Sequence, residues 1–95
     1  MHIITRRRIT EAKALYPHGV SALAGWLKIV EENTFKNFAE LKATFNSIDK
    51  VGDLYVFDLG GNKLRLIASI HFNRQKLYIR HILTHQKYDK STWKE

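Results

Sequence analysis

Between residues 78 and 90 the chain reads YIRHILTHQKYDK, which gathers Arg80, His81, His85, Lys87, Tyr88 and Asp89 into one short stretch. Arginine presents a fixed fork of donors that can hold two phosphate oxygens at once. Histidine titrates near neutrality and serves as acid or base. Tyrosine donates a proton or stacks on a nucleobase. Together these are groups that grip a phosphodiester and move protons around it.

The whole chain suits such a role. It has 95 residues, 16 Lys+Arg against 9 Asp+Glu, a formal charge of +7 and a pI near 9.9. A small, strongly basic domain usually meets a polyanion, and nucleic acid is the commonest one. The length fits a single domain spanning residues 1–95, and 44% hydrophobic residues favour a folded core over disorder. With no cysteine there is no disulfide framework and no thiolate zinc site. No apolar run approaches a membrane span, and the start, MHIITRRRITEAK, has no signal-peptide core. The expectation is a cytoplasmic protein without a membrane partner.

The elements that position the chemistry come in two halves. HIIT (2–5) reads as a short first strand, with Thr5 or Thr10 as cap of a helix carrying Ile9, Ala12, Leu15 and Tyr16 at helical spacing. Pro17 stops that run. Val20, Leu23, Ala24, Leu27 and Val30 mark a second helix, closed by EENT, and Phe38, Leu41 and Phe45 a third, short one. From Leu54 the period changes to two. LYVFDL, KLRLIASIH and KLYIRHILT are strands joined by turns at GGN (60–62) and NR (73–74).

The second turn sets the faces. A two-residue loop at Asn73–Arg74 pairs Phe72 with Gln75. Leu64, Leu66, Ala68 and Ile70 then lie with Leu77, Ile79 and Leu83, joined by Tyr55, Phe57 and Leu59, on a face for helices to cover. Lys63, Arg65, Ile67, Ser69 and His71 take the other face, beside Tyr78, Arg80, Ile82 and Thr84. A slip of one residue would bury both arginines without partners. Arg65 and Arg80 therefore form a candidate phosphate site, with Tyr78 and Ile82 as an apolar or stacking wall. His81 falls on the apolar face as a structural, partly buried histidine. His85 and Tyr88, three apart, share one side of a helical turn beyond the last strand. His81 and His85 have the i, i+4 spacing of a zinc pair, but they straddle a strand end and lack the Glu of the His-Glu-x-x-His pattern, so no metal or other cofactor is expected. No Gly-rich phosphate loop and no serine-nucleophile motif is present.

Three segments, LKATF (41–45), YVFDLGGNKLRLIASIHF (55–72) and YIRHILTHQKYDK (78–90), carry a resemblance. In order and over nearly the whole chain they resemble the HigB-type toxins of the RelE superfamily, the GGNKLRL hairpin and the THxxYDK tail being the most specific parts. The resemblance implies an α+β, RelE-like fold: an N-terminal strand and two to three helices packed on one face of a small antiparallel sheet. It implies a toxin of a type II toxin–antitoxin system, a metal-independent endoribonuclease that cleaves messenger RNA on the ribosome. The implied partner is a cognate HigA-like antitoxin of the helix-turn-helix type. The family's basic and proton-transfer positions match Arg65, Arg80, His85 and Tyr88, with Lys63, Lys87 and Asp89 as auxiliaries. Asp58 stands where relatives often have Asn, and Lys87 where an acid is common.

The chemistry expected of such a site is attack by the RNA's own 2′-hydroxyl on the adjacent phosphorus. The products are a 2′,3′-cyclic phosphate and a 5′-hydroxyl. Two other readings use the same residues: a non-catalytic module that binds RNA or the ribosome, and a basic surface that docks an acidic protein.

Overall fold

The computed structural model describes residues 1–61 and 63–90. Five strands form one sheet: β1 (His2–Ile4), β2 (Asp49–Val51), β3 (Leu54–Leu59), β4 (Leu64–His71) and β5 (Lys76–Thr84). Their spatial order is β1-β5-β4-β3-β2, antiparallel except for β1, which runs parallel to β5. The helices are α1 (Arg7–Leu15), α2 (Val20–Glu32), α3 (Phe38–Thr44) and α4 (His85–Asp89). The α+β architecture is the expected one. The short β2, whose three residues show no alternation to read, was not anticipated.

The core lies between the helices and the inner face of the sheet. Leu64, Leu66, Ala68, Leu77, Ile79, Phe57 and Ile3 are all buried there. Leu23, Trp26 and Val30 of α2 and Leu41 of α3 close it. Phe57 is the hub: Trp26 and Phe45 both meet it edge-on, at 5.3 and 5.2 Å between ring centroids. The stripe of α2 is thus centred on Leu23, Trp26, Leu27 and Val30, while Val20 and Ala24 lean outward. On α1, Ile9 and Ala12 are buried, but Leu15 in the last turn is 70% exposed.

Thr5 does not cap α1. It adopts a left-handed backbone (φ 64°), and its hydroxyl accepts from Ile79 N at 3.0 Å and donates to Ile79 O at 3.2 Å. It thereby continues the β1–β5 pairing by one side chain. Thr10 lies inside the helix, which begins after Arg6 with no side-chain cap.

The turns keep the expected alignment with different geometry. Gly60 and Gly61 both have positive φ (62° and 58°), the conformation that lets β3 return directly into β4. Asn62 of that turn lies outside the described residues. The β4–β5 connection is longer than two residues: His71 pairs with Lys76, a 3-10 turn covers Phe72–Arg74, and Gln75 is left-handed (φ 53°). The pairs Ile70–Leu77, Ser69–Tyr78 and Ala68–Ile79 are those predicted.

Beyond them the register changes. Ile67 pairs with His81 rather than with Arg80, so Arg80 is an extra residue, a β-bulge. Alternation past the bulge is reversed. Arg65 faces Leu83, Leu66 faces Ile82, and Leu64 faces Thr84. Four placements are corrected. Ile82 packs on the main core and Thr84 lies on that same face, while His81 and Leu83 belong to the outer face. The predicted stacking wall therefore loses Ile82. A single insertion in one strand leaves no mark in an alternating pattern when the residues after it are Ile and Leu, which suit either face.

His81 is half-buried beside an open groove of about 200 Å³ between α1 and the end of β5, lined also by Arg8, Leu15, Tyr16 and Leu83. Burial lowers its pKa from the ordinary 6.5, and the charges of Arg8 and Arg80 lower it further. A histidine with a depressed folded-state pKa takes up its proton more readily when unfolded, so stability falls as pH drops below 6.5. His81→Gln should therefore flatten the fall of Tm between about pH 6.5 and 5. Thermal denaturation across that range tests it, and an unchanged slope would take the titration away from His81.

Candidate functional site

The outer face of the sheet is where the singled-out side chains meet. Asp58 on β3 lies directly across from Arg65 on β4. Arg65 Nη1 donates to Asp58 Oδ1 at 2.9 Å, with the two side chains only 11% and 22% exposed. That degree of burial makes the pair stronger than an ordinary surface ion pair, because water screens it less.

The helix α4 brings the remaining groups. It begins as β5 ends, and Thr84 caps it, its hydroxyl accepting from Lys87 N at 3.3 Å. One turn then folds back over the outer face. Tyr88 packs on a small second apolar cluster built from Val56, Ile67, Val51, Leu54 and Leu83. The Arg65 guanidinium carbon lies 5.5 Å from the centre of the Tyr88 ring, within cation–π range. His85 Nδ1 is 3.1 Å from Arg65 Nη2, and His85 Nε2 is 3.3 Å from Asp89 Oδ2.

These contacts decide a tautomer. A guanidinium has donors and no acceptor. The Arg65–His85 contact is a hydrogen bond only if Nδ1 carries a lone pair. The ring proton then sits on Nε2, on the side of the Asp89 carboxylate 3.3 Å away. Asp58, Arg65, His85 and Asp89 thus form one chain of charged and polar contacts. In it Arg65 is held from two sides, and the basic nitrogen of His85 is occupied by the arginine.

Four sequence candidates, Arg65, His85, Tyr88 and Asp89, are therefore brought together, and Asp58 joins them. Arg80 and Tyr78 stand apart, and Lys63 and Lys87 lie at the margin. Arg80, at the bulge, is three positions from Leu83, the partner of Arg65, or about 10 Å of strand. It is exposed, and among the described residues its side chain has no hydrogen bond or ion pair. Tyr78 pairs with Ser69, four residues along β4 from Arg65, about 13 Å away. It touches His71 instead, edge to face at 5.5 Å. Lys63 is exposed at the β3–β4 turn next to the site, and Lys87 is exposed on α4. Among the described residues no cluster of three or more His, Cys, Asp or Glu could hold a metal ion. None of the described helices is long and apolar enough to cross a membrane.

Residues 20–91 match a family described as HigB_toxin, the RelE-like toxic component of a toxin-antitoxin system. The chain belongs to this family. It is 39% identical over 92 residues to the mRNA interferase toxin HigB of Escherichia coli K12, covering 94% of this chain and 88% of that protein. The mRNA interferase HigB of Shigella flexneri is similar to the same extent. That of Escherichia coli O6:H1 is 35% identical over 95 residues, 97% of this chain and 92% of that protein. The anticipated family membership is thereby established.

Within this HigB-family chain the two carboxylates of the site should differ in weight. Asp58→Ala leaves a nearly buried guanidinium without its carboxylate and should cost about 2–3 kcal/mol. For a chain of this length that is a Tm lowered by roughly 10 °C or more. Asp89→Ala removes an exposed contact and should stay within about 0.5 kcal/mol. Thermal melts of the two variants check the order, and equal effects would mean the Arg65–Asp58 pair is not a structural anchor.

Proposed function

We propose that this chain is the toxin of a toxin–antitoxin pair and an endoribonuclease acting on messenger RNA in the cytoplasm, with Arg65, His85 and Tyr88 at its reactive centre. The observation that carries the assignment is Arg65 within hydrogen-bond reach of His85 and in contact with the Tyr88 ring. The names of the relatives, mRNA interferases, give the substrate class.

The order of contacts suggests how the site works. A phosphodiester arriving at Arg65 competes with His85 for Nη2. As the phosphate takes that donor, Nδ1 of His85 is released with its lone pair. It can then accept the proton of the 2′-hydroxyl, while Asp89 steadies the ring through Nε2. The 2′-oxygen attacks phosphorus, and Arg65 holds the charge that builds on the phosphorane oxygens. Tyr88 is the candidate donor to the departing 5′-oxygen. Arg80 and Lys63 add positive potential along the approach. The base is thus freed only when a substrate phosphate is present. General acid–base steps of this kind typically supply about 100- to 10,000-fold each, and positioning must supply the rest. A ribosome that presents the message in a bent pose would provide it. A HigA-like helix-turn-helix antitoxin is the partner that would hold the activity in check.

A non-catalytic RNA-binding role is the second reading, and Asp58 favours it. A carboxylate 2.9 Å from Arg65 offsets the charge that would stabilise a phosphorane, while the exposed Arg80 and Lys63 remain to hold RNA.

Inducible expression of the wild type beside Arg65→Ala and His85→Ala, with growth curves and mapping of messenger RNA ends, separates the readings. Wild type should arrest growth and create new 5′-hydroxyl ends. Arg65→Ala should abolish both, and His85→Ala should slow cleavage at least about 100-fold. Unchanged arrest by both variants would remove these residues from the centre. Ends bearing 5′-phosphate would rule out attack by the 2′-hydroxyl. Salt-sensitive RNA binding without cleavage would leave the binding module.

A further inference from the structure

The outer face does not end at Arg65. Towards the β4–β5 turn the register lays two rows across β1, β5 and β4. His2, Lys76 and His71 stand side by side, and beyond them Ile4, Tyr78 and Ser69. His2 and His71 are exposed, and Lys76 and Tyr78 are half-buried. The T-shaped contact between His71 and Tyr78 fixes two rings on the surface. Arg80 follows on the same strand, exposed at the bulge. None of the residues that these three strands place in the two rows is acidic. Along β4, His71 lies six residues from Arg65, about 20 Å of strand, with Ile67 between them under its apolar cover.

We infer that this end of the face is a subsite for single-stranded RNA a few nucleotides from the scissile phosphate. Tyr78 and His71 stack a base, and Lys76 with Arg80 pair with the phosphates on either side. A rigid aromatic pair flanked by cations is the combination that binds single strands without reading their sequence, since every base has a π-face. It lies on the same face as Arg65, past the apolar cover of Ile67, and the inference rests on the reactive centre being where RNA is cut. The subsite adds what the centre lacks. Arg65 is partly neutralised by Asp58, so much of the hold on the substrate must come from elsewhere. It also gives Tyr78 a role that its distance from Arg65 would otherwise remove.

The test is equilibrium binding of the full chain to a fluorescein-labelled 2′-O-methyl RNA of about twelve nucleotides, an ordinary single-strand site size, which resists attack by a 2′-hydroxyl. Anisotropy titrations at several salt concentrations would compare wild type with His71→Ala/Tyr78→Ala, Tyr78→Phe, Lys76→Ala and Arg65→Ala. The double variant should bind about tenfold more weakly. Tyr78→Phe, which keeps the ring, should bind like wild type. Lys76→Ala should lower the slope of log affinity against log salt by about one. If the double variant does not fold, exposed His71→Ala and Lys76→Ala carry the test. Wild-type affinity and salt slope in the double variant, His71→Ala and Lys76→Ala, with Arg65→Ala weakened, would overturn the subsite and leave the cleavage centre standing. Loss of antitoxin binding with RNA affinity unchanged would overturn it too, giving the face to the protein partner. Weakened binding in the double variant, with Arg65→Ala still arresting growth, would support the RNA surface and sink the placement of the cutting site.

Discussion

At Arg80 the strand β5 carries one residue more than β4 opposite it, and the end of the sheet that carries the candidate site is arranged by that insertion. Before the bulge, Leu77 and Ile79 face the helices. After it the phase is reversed, so Ile82 continues the core and Leu83 crosses to the outer face. Leu83 helps build the apolar seat on which Tyr88 rests, and Tyr88 holds α4 over the sheet. Without the extra residue, Leu83 would point into the core and α4 would lose part of that seat. A bulge beside a functional site re-aims the side chains that follow it, and here it re-aims a whole helical turn.

Onto this frame the electrostatics impose a second constraint. Arg65 is 11% exposed and could not be left unpaired at reasonable cost. Asp58 neutralises it from the neighbouring strand, and His85 takes up one of its remaining donors. The result is a charge that is fixed in direction yet partly satisfied. In the mechanism we propose, an anion must displace His85 to bind it fully, and that displacement makes the histidine a base. Fixing the guanidinium before the substrate arrives spares the reaction the reorganisation of a long, flexible side chain. The neutralising carboxylate offsets the charge of Arg65, and the proposed subsite at Lys76, Tyr78 and His71 would share the burden of binding.

Much of this was legible in the residues alone. The change of period at Leu54 separated helices from sheet, because alternation and helical spacing are different signals. The polar character of Arg65 and the apolar run Leu64, Leu66, Ala68 fixed the two faces of β4, since a reversed assignment would have buried a charge. The spacing of His85 and Tyr88 put them on one helical turn, and the motifs around them pointed to the family that the comparisons establish.

What the tertiary structure decided lay in pairings between distant residues. The sequence marked Asp58 as standing where relatives often have Asn, and only the β3–β4 register set it opposite Arg65. It named Arg80 as a companion of Arg65, and the bulge set it one residue farther along the strand. It placed His81 on the apolar face, partly buried, and the same bulge turned it to the outer face and the groove beside Arg8. His2, Lys76 and His71 carry no shared pattern along the chain; they form a row because a parallel strand from the N-terminus pairs with β5. Local periodicity determines which side of its own strand a residue occupies, but which residues stand beside it is set by how the strands align, and one inserted residue changes every neighbour that follows.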